Sequence, residues 1–217
     1  MNMKSKFVIL LCLFIFSLTG CTYLQRAQRA SNLEAENQKL LNRIAQLQKD
    51  KDKELSELDK AKLELEKALK EEIDNYKTKL EITERGLVIT FLSEVFFDSG
   101  KDIIRQDGKE SLKKVAEVLN QNVPDSNVAI EGHTDNQPIK HSGWKSNWEL
   151  SSARALAVLH YLTDECSVVP ARLSANGYGE YRPVMANDTK ENMQKNRRVE
   201  IVILPSKISK VNKETSN

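Results

Sequence analysis

The sequence predicts an α+β domain, a small mixed sheet with helices packed on one face, carried behind a long helical, coiled-coil-like segment. Three observations predict it. Between Gly20 and Gly86 there is neither Gly nor Pro, and Leu, Lys, Glu, Gln and Ala dominate, all strong helix formers. Beyond Gly86, short apolar runs bounded by Gly, Pro and Asp alternate with stretches of helical period. One such stretch, starting at Ser146, buries polar residues in its own apolar face.

The globular part reads in the order βαβαβ-(α)-β. Gly86–Leu92 and Val95–Phe97 form a strand or a bulged strand, broken by Asp98-Ser99-Gly100. A helix follows from about Gln106 to Asn120, with Leu112, Val115, Ala116 and Leu119 on one face. Next come a strand over Asn127–Gly132, a loop over His133–Lys145 and a helix over Ser146–Thr163. Ser146 with Glu149 three residues on fits a capping box. A helical turn at Pro170–Leu173, a strand at Ser174–Tyr178, a short helix around Glu191–Lys195 and a last strand at Val199–Leu204 complete the domain, ended by Pro205.

On a helical wheel from Ser146, Leu150, Ala155, Ala157, Val158, Leu159, Tyr161 and Leu162 share one arc. Asn147, Ser151 and Arg154 sit in the middle of that arc. A guanidinium facing inward is costly unless it is paired. The preceding strand ends in a polar turn that presents Asp135, a carboxylate able to meet it.

With 217 residues the chain has room for one or two domains, and a net charge of +2 gives no sign of a nucleic-acid partner. Cys12, Cys21 and Cys166 show neither metal-ligand spacing nor a disulfide framework. His133, Asp135 and His141 lack a known ligand spacing, so neither a metal nor another cofactor is expected. No acid/base pair suited to hydrolysis stands out, so the expectation is a binding protein and not an enzyme.

At the start, Lys4 and Lys6 precede the apolar run Phe7–Phe16, which is too short to span a bilayer and suits the core of a signal peptide. The run leads into Leu18-Thr19-Gly20-Cys21, which resembles a bacterial lipobox. That resemblance implies removal of residues 1–20, acylation of Cys21, and stable membrane anchoring by several acyl chains. Thr22, where an Asp would favour the inner membrane, leans towards the outer membrane, with the chain facing the periplasm. Residues 21–32 then form a linker and 33–84 a helical stalk.

Along the stalk Leu33, Leu40, Ile44 and Leu47 keep a 3–4 spacing, Leu55, Leu58, Leu65 and Leu69 resume it, and Ile73, Tyr76 and Leu80 continue it. Glu66–Lys70 and Glu81–Arg85 are expected as i,i+4 pairs. The apolar stripe has no evident partner within the chain, which leaves self-association or a lone solvated helix. A helix of about 55 residues would reach roughly 80 Å. Residues 85–205 form the globular domain, and 206–217 are expected as a disordered basic tail.

Three motifs in order resemble the OmpA-like peptidoglycan-binding domain, shared by OmpA C-terminal regions, peptidoglycan-associated lipoproteins and MotB proteins. They are Gly132-His133-Thr134-Asp135, the N-x-x-L-S-x-x-R-A pattern of Asn147–Ala155, and Asn196-Arg197-Arg198-Val199-Glu200. Asp135 through Ile139, followed by Ser146–Ser151, is similar to the MotB type, and the loop before Asn147 is longer than in the OmpA type. The resemblance implies non-covalent binding of a stem peptide carrying diaminopimelate, whose side chain ends in an ammonium and a carboxylate on one carbon. It assigns the ammonium to Asp135 and the carboxylate to Arg154, with Asn147 as a further polar contact. Thr134, the backbone near Phe97 and Asp98, and Arg197, read as facing inward with Val199 and Ile201, are the remaining candidates. Arg198 reads as a structural salt bridge, and Trp144 and Trp148 as loop packing or as sugar-stacking residues. A lipid-anchored tether of membrane to wall follows, or else a wall-anchoring accessory of a larger envelope machine.

Overall fold

The computed structural model describes residues 3–140 and 143–205, and for residues 3–25 and Ala27 the backbone alone. The Cys21 side chain, His141 and the tail from Ser206 therefore lie outside the described residues. The chain divides into a first unit up to Asp52 and a second from Lys53.

Helix α1 runs over Met3–Ala68. Within the first unit Leu33, Leu40, Leu41, Ile44 and Leu47 are all exposed. Among the described residues no helix is long and apolar enough to cross a membrane.

In the second unit the apolar stripe has an intrachain partner, contrary to the expectation of a free stalk face. Leu58, Ala61, Leu65 and Leu69 are buried in the same core as the sheet residues. Each such leucine contributes about 1.5–3 kcal/mol of hydrophobic burial. A short helix α2, Lys70–Asp74, follows.

The expected helix over 75–84 is a strand instead. β1, Thr78–Thr83, pairs antiparallel with β2, Gly86–Leu92, through the two-residue turn Glu84-Arg85. Leu80 and Ile82 pack against the core while Lys79 and Glu81 alternate outward, the period-2 pattern of a half-buried strand. Glu81 consequently pairs with Lys79 and not with Arg85, and Glu66 pairs with Lys62 and not with Lys70. Gly86 has φ +115°, and a Cβ there would lie 2.1 Å from the Ile203 carbonyl oxygen, so the turn needs glycine.

After β2 the chain makes one helical turn, α3 (Ser93–Phe96), where a bulged strand was expected. Helix α4 covers Gln106–Gln121, β3 covers Val128–His133, α5 covers Asn147–Asp164, β4 covers Leu173–Gly177, α6 covers Lys190–Asn196 and β5 covers Arg198–Ile203. The sheet order is β1-β2-β5-β3-β4, with β3 and β4 parallel and every other pair antiparallel. Leu87, Ile89 and Phe91 of β2, Val199, Ile201 and Ile203 of β5, and Leu112, Val115 and Val158 of the helices form one core.

The opposite face of the sheet carries a smaller apolar cluster, Val88, Ala129 and Val202, and a set of charges. Arg85 binds Glu131 and Glu200, and Arg198 binds Glu200 through Nε at 2.7 Å. Glu131 stands opposite Glu200, and His133 opposite Arg198, in the β3–β5 register. Arg198 is thus structural, as its sequence context suggested.

Candidate functional site

The site forms where β3 ends against the start of α5. Gly132 makes the approach possible, because a Cβ there would meet the Ser151 carbonyl oxygen at 2.1 Å. Gly177 does the same for Ser152 on the neighbouring strand. Ser146 caps α5 by accepting from the Glu149 amide, at 3.4 Å. The reciprocal bond reaches one residue further back than in a standard capping box, since Glu149 accepts from the Lys145 amide at 2.8 Å.

The polar stripe of α5 is buried as the wheel predicts: Asn147, Ser151 and Arg154 face inward. Ser151 Oγ accepts from the Gly179 amide at 2.9 Å. Asn147 Nδ2 donates to the carbonyls of Asp135 (3.3 Å) and Gln137 (3.1 Å) and to Glu180 Oε2 (2.7 Å). Asn147 therefore fixes the course of the Asp135 loop. The Thr134 hydroxyl donates to the Asp135 carbonyl at 2.8 Å, and its amide donates to the Gly179 carbonyl at 2.9 Å, so Thr134 also serves the loop.

Arg154 is only 4% exposed and makes no salt bridge among the described residues. Its Nε donates to the Lys101 carbonyl at 2.9 Å and its Nη2 to the Asp98 carbonyl at 3.2 Å. The guanidinium lies 5.2 Å from the centre of the Phe97 ring. The backbone and ring of the Phe97–Lys101 segment thus cradle it, while the Asp98 carboxylate points away towards Lys101 and Arg105. Trp144 Nε1 donates to the Gly100 carbonyl at 2.9 Å, tying the long loop to the same segment. Burial pushes the Arg154 pKa down to about 10, and the like charge of Arg197 pushes in the same direction.

Sequence reasoning expected Asp135 to meet Arg154. The structure gives the Asp135 carboxylate to Arg197 instead, Nη1 to Oδ2 at 2.6 Å, with the Gln137 amide donating to Oδ1 at 3.1 Å. Strand alternation was the wrong reason to place Arg197 inward. It caps α6 before β5 begins, and its partly exposed side chain reaches the site from that cap. Asp135 and Arg154 share the site electrostatically without a direct bond. Gln137, Glu180 and the Lys101 carbonyl were missed, and only the polar character of their loops could have hinted at them.

On the opposite face of the sheet, ligand atoms of Glu131, His133 and Glu200 lie within 4.8 Å of one another. Arg85 and Arg198 already neutralise both carboxylates, so this cluster is an ion-pair network around a neutral histidine. His133 is 2% exposed, and burial, with the Arg198 charge second, pushes its pKa down to about 3. A separate open groove of about 1400 Å³ is lined by residues of β1, β2 and β5, among them Lys79, Glu81, Val88, Thr90 and Glu200, and neither Asp135 nor Arg154 lines it.

Residues 96–197 match the OmpA family model. The C-terminal domain of this chain belongs to the OmpA family. Motility protein B of Bacillus subtilis (strain 168) is 40% identical over 158 residues, which are 73% of this chain and 60% of that protein. Outer membrane protein Omp38 of Acinetobacter baumannii is 41% identical over 113 residues, 52% of this chain and 30% of that protein. The chain thus spans less than two thirds of the length of these curated relatives. Among solved structures, the cell wall anchor of the T6SS from Pseudomonas aeruginosa aligns with a TM-score of 0.59 at 30% identity, covering 65% of this chain and 96% of that one. The periplasmic domain of Helicobacter pylori MotB aligns with a TM-score of 0.56 at 29% identity, covering 64% and 90%. The OmpA-family assignment agrees with the fold and with the motifs from Gly132 to Glu200.

Proposed function

We propose that this chain tethers a bacterial membrane to the cell wall by gripping peptidoglycan non-covalently through its OmpA-family domain. The observation that carries this reading is Arg154, a buried guanidinium with two carbonyl partners and no carboxylate, close to Asp135. A diamino acid of the stem peptide supplies the missing anion together with a cation for Asp135. Its carboxylate meets the Arg154 fork, and its ammonium meets Asp135, with Arg197 sharing or yielding that carboxylate. Asn147 and Thr134 hold the loop, and the Phe97–Asp98 backbone holds the guanidinium. The role is binding and not catalysis, and it needs no cofactor.

The likeness to a cell wall anchor supports the wall as the target. We place the membrane end at an acylated Cys21 in the outer membrane, with the domain facing the periplasm, as the lipobox-like Leu18–Cys21 suggests. The exposed leucines of the first unit suit pairing with a second copy. Substituting Asp135→Ala or Arg154→Ala should abolish co-sedimentation with purified sacculi while the circular-dichroism spectrum stays unchanged. Undiminished sedimentation of both variants refutes the site.

A second reading has its own support. Similarity to a motility protein over 73% of the chain, and to an anchor of the T6SS, favours a wall-anchoring accessory of a larger machine. Mass spectrometry of the native protein separates the two. A diacylated or triacylated N-terminal Cys21 supports the lipoprotein tether, and an intact, unacylated Met1–Gly20 supports the machine subunit.

A further inference from the structure

Beside the site lies a feature that the diamino-acid reading leaves unused. Trp148 and Tyr181 stack with ring centres 5.1 Å apart and planes 23° from parallel, yet they are 47% and 64% exposed. Aromatic faces normally go to the core, and the tyrosine hydroxyl and indole N–H normally find partners when they pack. Here neither Trp148 Nε1 nor Tyr181 Oη has a hydrogen-bond partner among the described residues. Trp144 is the contrast, with its indole N–H satisfied by Gly100. A flat apolar surface edged by two free donors suits the face of a sugar ring, which offers axial C–H groups in the middle and hydroxyl or acetamido oxygens at the rim.

The position of the stack is as specific as its chemistry. Trp148 directly follows Asn147, and Tyr181 directly follows Glu180. Those two preceding residues are bonded to each other at 2.7 Å, and Asn147 also holds the Asp135 and Gln137 carbonyls. Gly179 keeps the two elements close, since a Cβ there would lie 3.4 Å from Trp148 N and 3.6 Å from Tyr181 Cδ2. The stack and the Asp135 loop therefore rest on one hydrogen-bonded support. With its diamino acid at Asp135 and Arg154, a stem peptide starts from the loop whose hydrogen-bonded support also carries the rings.

We infer that the Trp148–Tyr181 stack is a carbohydrate subsite that takes an N-acetylated amino-sugar ring of the glycan strand. This rests on the diamino-acid reading of Asp135 and Arg154 and extends it. The site then reads peptide and sugar together, so it prefers intact wall to free peptide.

The test is a titration of the full chain with two defined ligands, the free stem tripeptide and the same tripeptide on its disaccharide. Stacking of this kind corresponds to a roughly three- to tenfold change in Kd. The disaccharide ligand should bind wild type tighter by that factor. Trp148→Ala should remove the gain and leave the free-peptide Kd unchanged, and Trp148→Phe should restore part of it. Equal Kd values for the two ligands in wild type overturn the subsite while leaving the diamino-acid site standing. Unchanged disaccharide binding in Trp148→Ala, or an equal loss for both ligands, also overturns it, the latter by showing that Trp148 only holds the loop. If neither ligand binds wild type, the diamino-acid reading fails and the subsite fails with it.

Discussion

If Arg154 is kept for a ligand, removing it should not weaken the fold. The perturbation is Arg154→Met, which keeps volume and an apolar contact with Phe97. The shift from 12.5 to about 10 corresponds to about 3 kcal/mol disfavouring the charged guanidinium in the folded chain at neutral pH. Against that gain, the Lys101 and Asp98 carbonyls each lose a donor, at about 1 kcal/mol apiece. The cation–π contact with Phe97 contributes about 0.5–1 kcal/mol, which a methionine sulfur on the same ring partly replaces. The expected net effect lies between no change and a gain of about 1 kcal/mol. Breaking a buried structural ion pair would instead cost about 3–5 kcal/mol. The two outcomes are well separated, and urea unfolding at pH 7 distinguishes them. Sacculus co-sedimentation of the same variant should be lost. A destabilisation of about 3 kcal/mol or more, or retained sedimentation, would show that the arginine is there to hold the protein together.

Three further expectations follow from the same geometry. His133 has its ordinary value of 6.5 pushed to about 3, so the unfolded chain takes up its proton first and stability falls as the pH drops through that window. Wild type should lose about 3 kcal/mol more than His133→Gln between pH 7 and pH 4, and parallel unfolding curves for the two would contradict the assignment. Leu65→Ala should cost about 2–5 kcal/mol of domain stability in urea, because Leu65 is fully buried against the sheet core and not on a free helix face. Gly132→Ala should lower stability by about 1–3 kcal/mol and weaken sacculus binding, since the new Cβ collides with the Ser151 carbonyl; a variant of wild-type stability would remove Gly132 from the account of the site.

The elements that sequence reasoning found are those whose signals are local. The cap at Ser146, the apolar stripe of α5 and the glycine-bounded strands each depend on a few adjacent residues, and each lies within a residue or two of its expected place. The chief miss, β1, has a physical cause. In Thr78–Thr83 the alternation Leu80, Ile82 against Lys79, Glu81 is a strand signal, but Leu80 also continues the spacing of Ile73 and Tyr76. Helix period and strand period were both satisfied, and the β2 partner across the Glu84-Arg85 turn decided between them. The buried lower stripe of α1 was illegible for a related reason. Spacing says which face is apolar but not whether a second copy or the chain's own sheet covers it. Around the site, residue identity was legible and pairing was not. Asp135, Asn147, Arg154 and Arg197 do converge, yet which arginine takes the carboxylate depends on the α6 cap, which no periodicity describes.

The two charged clusters of this sheet make the strongest case for an external anion. On the face away from the helices, Arg85 and Arg198 meet Glu131 and Glu200, two cations against two carboxylates, and both of these guanidinium groups touch an oxygen anion. At the end of β3 two cations, Arg154 and Arg197, stand against one bonded carboxylate, Asp135. Asp102 acts on Arg154 only through space, without a hydrogen bond. The same sheet thus completes the pairing in one place and leaves it one carboxylate short in the other. The shortfall falls on the more deeply buried arginine, where solvent can least make up for it. An internal ion pair would have been the simpler way to bury that side chain. A cleft that leaves a buried guanidinium without a bonded carboxylate, with an acid placed alongside, is an arrangement that suits a zwitterion.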